Sequence, residues 1–265
     1  MAYSLSPTDS NLLWVAFSDG EIYRINWTTG EGWKRSWSTS TDFITQMTVS
    51  SMDLDGHKRD IVFTSEAKGA GWQISAHDLG FLGKSFTTTS RIIYTSTQPI
   101  QILKAAIEGD IILAASEERI LIGKLRSRTF GSVEKIRYEF HVFESKDFIL
   151  SMDFRVSNKS LALSGNISKV DKASIVDVVV GDVKGAIFVH NDLLSNLLRF
   201  QSRAEGETKI SLVPRKFHWH RTGVLAVKWS LDGLFRLLQQ NQMTDSGRQL
   251  YHLWGKRDSY DFVAT

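Results

Sequence analysis

The sequence predicts an all-β chain folded as a partial β-propeller, with about four blades plus one strand. Three observations predict it. The 265 residues contain only three prolines, and β-branched and aromatic residues recur in short runs, as strands require. Four segments repeat one design of apolar strand, tight turn and alternating strand. Each of them is preceded by one more alternating run, so the unit is an antiparallel meander and not an isolated hairpin.

The elements follow in chain order. The repeated hairpins read "LLWVAFSDGEIYRINWTTGE" from Leu12, "DIVFTSEAKGAGWQISAHDLG" from Asp60, "DIILAASEERILIGKLRS" from Asp110 and "VDVVVGDVKGAIFVHNDLL" from Val176. Their starts are 48, 50 and 66 residues apart, which places an insertion in the last interval. Tight turns are expected at Asp19-Gly20, Lys68-Gly69, Glu118-Arg119 and Lys184-Gly185, since glycine tolerates the positive φ that such turns need. The leading strands are "FITQMTVSSMDLDG", "IQILKAAIEGD" and "FILSMDFRVSNK", with "GVLAVKWSLDG" as a fifth. In that fifth strand Leu225, Val227 and Trp229 fall on one face, suited to packing, and Val224, Ala226, Lys228 and Ser230 on the other. Helical periodicity is poor before residue 234. After Gly233 the text "LFRLLQQNQMTDSGRQLYHLWGKRDSYDFVAT" shows no paired strand pattern. It gives a boundary between a degenerate repeat array over residues 1–233 and a non-homologous, poorly ordered tail over residues 234–265.

Composition narrows the function classes. Lys and Arg number 32 against 29 Asp and Glu, so any nucleic-acid contact must come from local patches. Two runs qualify. Arg119, Lys124, Arg126, Arg128, Lys135 and Arg137 face only Glu134, and Arg199, Arg203, Lys209, Arg215, Lys216, Arg221 and Lys228 face Glu205 and Glu207. A solvated face explains either run as well as a polyanion site does. Lys124, Arg126, Arg128, Arg203, Arg215, Lys216, His218, Trp219 and Arg221 are the candidate RNA or partner contacts. The absence of cysteine excludes disulfides and thiolate metal sites. The N-terminal "MAYSLSPTDS" has no charged-then-apolar leader, and no run approaches the ~20 apolar residues of a membrane span, so no membrane partner is expected. The sequons at Asn26, Asn158 and Asn166 are then chance matches.

Catalytic and metal signatures are sparse. No phosphate-binding glycine loop, zinc-protease helix or nucleophile elbow occurs, and no convergent acid–base set can be named, so the chain reads as non-catalytic with no cofactor and no small-molecule substrate. His218 and His220 lie one residue apart but lack the further ligand that zinc needs. The eight tryptophans are mostly strand or strand-flanking, where packing is their ordinary role.

The turn "SDGEIYRIN" resembles the WD-repeat consensus, with Ile25 and Asn26 where that family has Trp and Asp, and His190 and Asn191 at the same places in the fourth unit. In WD repeats a His in the loop before a blade bonds an Asp in a later turn, and the resemblance implies this structural pin for His220. The pair "LSPTDSNLLWVAFSDGEIYRINWTTGE" and "FHWHRTGVLAVKWSLDG" resembles the N-terminal propeller of a more specific family. It is the nucleolar WD-repeat subunits of the small-subunit processome, in the transcription-linked group of U-three small nucleolar RNA-associated proteins. The resemblance covers roughly residues 3–233. Members of that family are longer, with two tandem propellers, so the chain is expected to begin inside the first. The resemblance implies a nucleolar scaffold that supports pre-ribosomal RNA transcription and early processing. Its implied partners are other processome subunits and pre-ribosomal or small nucleolar RNA. A generic WD-repeat adaptor in another intracellular complex is the alternative.

Overall fold

Period-two alternation in runs of four to twelve residues makes strands, and in a computed structural model nearly every regular element is one. The structure describes residues 1–30, 34–38, 43–54, 56–78, 89–106, 108–126, 132–159, 173–201, 214–218, 222–229, 235–240, 250–254 and 259–263. They form five antiparallel sheets of four strands, in two compact units, Met1–Glu144 and Ser145–Thr265.

In the first unit, β1 (Ala2–Leu5), β2 (Leu12–Ala16), β3 (Glu21–Asn26) and β4 (Lys34–Ser38) pair in chain order. So do β5 (Phe43–Leu54), β6 (His57–Lys68), β7 (Gly71–Asp78) and β8 (Thr89–Ser96). The third sheet is β9 (Ile102–Ala106), β10 (Ile111–Ala115), β11 (Arg119–Leu125) and β12 (Tyr138–Glu144). The second sheet is covered on both faces, and its strand sequence shows why. In "IVF", Val62 joins Trp14, Ala16, Ile22, Ile44 and Met47 in one cluster. Ile61 and Phe63, pointing the other way, join Ile74, Ile112, Ala114 and Leu121 in a second. Burying Phe63 alone is worth about 1.5–3 kcal/mol. A polar bridge also ties the first two sheets, since Asp60 accepts from the Trp14 indole at 2.8 Å and from Thr8 Oγ1 at 2.7 Å. A 3-10 turn, Val133–Lys135, inserts Val133 and Ile136 into the second cluster.

The second unit holds β13 (Ile149–Lys159), β14 (Ala173–Asp182), β15 (Ala186–His190) and, after helix α1 (Leu193–Gln201), β16 (Arg215–His218). Its other sheet is β17 (Ala226–Trp229), β18 (Phe235–Gln240), β19 (Leu250–Trp254) and β20 (Ser259–Val263). Val179, Ile187 and Val189 pack with Val224 and Val227, joined by Phe217 and Trp229.

Four features depart from the sequence reading. Strands β18, β19 and β20 pair behind β17, where the sequence showed no paired strand pattern. The overlooked signal is the aromatic content of "LYHLW" and the alternation of Tyr260 and Phe262 in "SYDFV". Helix α1 interrupts the fourth sheet in a stretch read as strand and loop. Its "LLSNLL" spacing buries Leu193, Leu194 and Leu197, and Asp192, whose carbonyl accepts the Asn196 amide at 3.1 Å, bonds Ser195 Oγ at 2.7 Å at its start. The fifth leading strand starts later than expected: Val224 is buried with Val227, while Leu225 is exposed, because the Val224 amide is held by the Asp182 carbonyl at 2.9 Å ahead of β17. The turn at Asp19-Gly20 is where it was expected, with Gly20 at φ 87°. The second and third turns are displaced by one residue or so, to Gly69-Ala70 and Ser116–Glu118, because Lys68 and Arg119 are still in strands.

Candidate interaction surfaces

Among the described residues, several of the basic positions singled out from sequence are already engaged. Lys124 on β11 lies opposite Glu139 on β12, and Arg126 Nε is 3.5 Å from the same carboxylate. Arg119 is 3.5 Å from Glu144, and Arg137 donates to the carbonyls of Glu134 at 2.8 Å and Ile136 at 3.0 Å. Exposed pairs of this kind contribute about 0–1 kcal/mol each, yet they reduce the net positive field of the first run. In the second unit Arg215 and Lys216 are exposed at the start of edge strand β16, with Lys216 Nζ 5.4 Å from the centroid of the Phe188 ring. His218 ends that strand, its Nε2 donating to the Lys184 carbonyl at 3.2 Å, so it braces the β14–β15 turn of its own sheet. Arg128, Arg203, Trp219, His220 and Arg221 lie outside the described residues.

The strongest titratable constellation was not singled out from sequence. On the face of the second sheet that carries Val62, the registers Thr64↔Ser75 and Glu66↔Gln73 bring a set of polar side chains together under the β6–β7 turn. Glu66 Oε1 accepts from Thr64 and lies 2.9 Å from His77 Nε2, and Glu66 Oε2 accepts from Gln73 at 2.8 Å and Ser75 at 3.1 Å. Burial alone would raise the carboxyl's pKa. The hydrogen bond and charge of His77, with bonds from Thr64 and Gln73, outweigh it and hold Glu66 below its ordinary value. At 1% and 2% exposure, Glu66 and His77 are closed to any substrate, so the network organises the sheet. Its sequence signal is polar residues spaced by two, T-x-E before the turn and Q-x-S-x-H after it, on one face of each strand.

In the second unit Asp182 closes the β14–β15 turn, its Oδ1 accepting from the amides of Lys184 at 3.0 Å and Ala186 at 2.6 Å. Its Oδ2 is buried with no hydrogen-bond partner among the described residues. His190 is held neutral by burial, its pKa lowered to about 4. Among the described residues no group of three His, Asp or Glu side chains could hold a metal, and no helix is long and apolar enough to cross a membrane.

The turn end of the first unit is a continuous surface. The Ile44 amide donates to the Ser18 carbonyl at 3.3 Å, which joins the β2–β3 turn to the start of β5. There Phe43, 40% exposed, meets Trp72 edge-on at 5.3 Å. Thr45 and Ser65 hydroxyls donate to the Ile100 carbonyl at 3.2 and 3.0 Å, which joins the second sheet to the third. The Gln98 and Gln101 side chains then reach Ser116 at 3.1 Å and Glu117 at 3.5 Å in the β10–β11 turn. Asp19, Glu117 and Glu118 line this end, with Lys68 at the end of β6 and Arg119 at the start of β11.

No protein-family model matches the chain, and no curated protein sequence matches it. Among solved structures it is similar to the β-propeller domain of Cps50 (Swd1) from Myceliophteria thermophila, with a TM-score of 0.54 at 11% identity. The match covers 100% of this chain and 70% of that one. At this identity the likeness establishes the fold, a β-propeller, and nothing finer.

Proposed function

We propose that the chain is a non-catalytic WD-repeat scaffold of the nucleolus, supporting assembly of the small-subunit processome and with it pre-ribosomal RNA transcription and early processing. The observation that carries the scaffold reading is the succession of four-stranded sheets with tight turns between their strands, which offers rigid strand ends for docking while the Glu66–His77 pair is sealed from solvent. The two distinctive segments, residues 5–31 and 217–233, support the processome assignment by their resemblance. Other processome subunits are the main partners, and Lys124, Arg126, Arg128, Arg203, Arg215, Lys216, His218, Trp219 and Arg221 are the side chains for them or for RNA. His220 serves as the structural pin that the WD-repeat resemblance implies.

The test is recovery of RNA and protein with the tagged chain after crosslinking in nucleated cells. Enrichment of pre-ribosomal and small nucleolar RNA with processome subunits is expected. Charge reversal at Lys124, Arg126, Arg215 and Lys216 should lower the RNA share and flatten its salt dependence. Recovery of an unrelated complex without ribosomal precursor would favour the generic adaptor.

A further inference from the structure

We infer that the turn end of the first unit, centred on the Phe43–Trp72 ring pair, docks a lysine- or arginine-bearing segment of a partner protein. The inference rests on the scaffold reading and adds the partner class and its place. Three features select this occupant.

Phe43 leaves 40% of its surface in water beside Trp72, so an apolar and π-rich contact is exposed where β5 and β7 begin. Such rings attract cationic side chains across their faces. The ring pair is not isolated, since Ile44, next to Phe43, is bonded to the β2–β3 turn, and the Ile100 carbonyl ties the same sheet to the β10–β11 turn. Both of those turns are acidic. Asp19 lies in the first and Glu117 and Glu118 in the second, against Lys68 at the end of β6 and Arg119 at the start of β11, the latter engaged by Glu144. A phosphate backbone arriving here would meet the carboxylates of all three turn acids, whereas a basic peptide would meet complementary charge on both sides of an aromatic anchor. The scaffold beneath is stiff, because Glu66 and Gln73, directly under the β6–β7 turn, belong to the buried polar network. A rigid platform loses little entropy on binding.

The experiment uses the full chain with two sets of short fluorescent peptides, lysine-bearing and glutamate-bearing, on the same neutral and aliphatic background. The lysine set should bind and the glutamate set should not, and raising the salt should weaken the binding. Phe43→Ala should weaken it roughly tenfold. The combined Asp19→Asn, Glu117→Gln, Glu118→Gln variant should weaken it several-fold and abolish most of its salt dependence. Glu134→Gln, an acid on the 3-10 turn, should leave it unchanged. Thermal unfolding confirms that each variant keeps its fold, and Phe43→Tyr restores binding if the ring is the anchor. Equal affinity for both peptide sets, or a combined variant that binds like the unchanged chain, would overturn the inference. So would a labelled RNA that Phe43→Ala releases. RNA retention through Lys124, Arg126, Arg215 and Lys216 is read on a separate probe, so failure of the polyanion reading leaves the peptide result intact.

Discussion

Glu66 shows how much one side chain can control in this chain. Its carboxylate takes four hydrogen-bonding neighbours in a site closed to water, and removing it leaves the buried donors of Thr64, Gln73 and Ser75 without their acceptor. Glu66→Ala should therefore cost about 3–5 kcal/mol in urea unfolding. Val62→Ala, on the same face, should cost less, because its loss opens a small apolar cavity without orphaning a polar group. Since Glu66 has a lowered pKa when folded, its contribution is complete above its unfolded value and is lost as the pH falls through the folded one. His190 acts in the same direction over a higher range. Its pKa falls to about 4 in the fold, so the unfolded chain binds a proton first, and stability drops as the pH goes from about 6.5 towards 4. The loss should be on the order of 3 kcal/mol, and His190→Phe should flatten the slope in denaturation midpoints measured across that interval. The polar spacing around Glu66 and the motif position of His190 are in the sequence, but only the folded register shows which groups meet and how deeply they are buried.

Hairpins were the most legible elements, because a turn residue and strand alternation are both local. Asp19-Gly20 illustrates this, with the Gly20 amide closing on the Phe17 carbonyl at 3.2 Å. Helix α1 was not legible in the same way. Its four leucines fit a strand-rich context until the Asp192 cap fixes the first turn, so tertiary packing against β14 decides the matter. Leu197→Ala should lower stability by about 2–4 kcal/mol, read in the second unit by exchange or proteolysis of β14. Close approach between strands is a further constraint that composition hides. A Cβ on Gly181 would lie 2.6 Å from both Ser151 Oγ and Val224 Cγ1, which ties β14 to β13 and to the segment before β17. Gly181→Ala should destabilise by about 1–3 kcal/mol in the same assay, whereas Gly69→Ala, with open space around it, should show only the cost of its positive φ.

Across the whole chain, the repeated four-stranded sheet was readable because each meander is contiguous in sequence and its hydrophobic period matches its local structure. The fifth sheet was not, because β18 lacks strict alternation and β19 and β20 are short, so their pairing depends on β17 supplying the first edge. The surface features divided similarly: charge runs were visible, but their use was not. Glu139 and Glu144, which engage Arg126 and Arg119, come from another strand, and Arg137 turns to backbone carbonyls. Amide hydrogen exchange of the full chain tests the central claim, a succession of five four-stranded sheets, most directly. Peptides covering β6, β7, β10, β11 and β14 should exchange slowest, and those covering β17, β18 and β19 should be protected together above the rate of an unstructured chain. Exchange at the unstructured rate throughout residues 226–263 would contradict the fifth sheet, and the same rate across β6 and β7 would contradict the architecture as a whole.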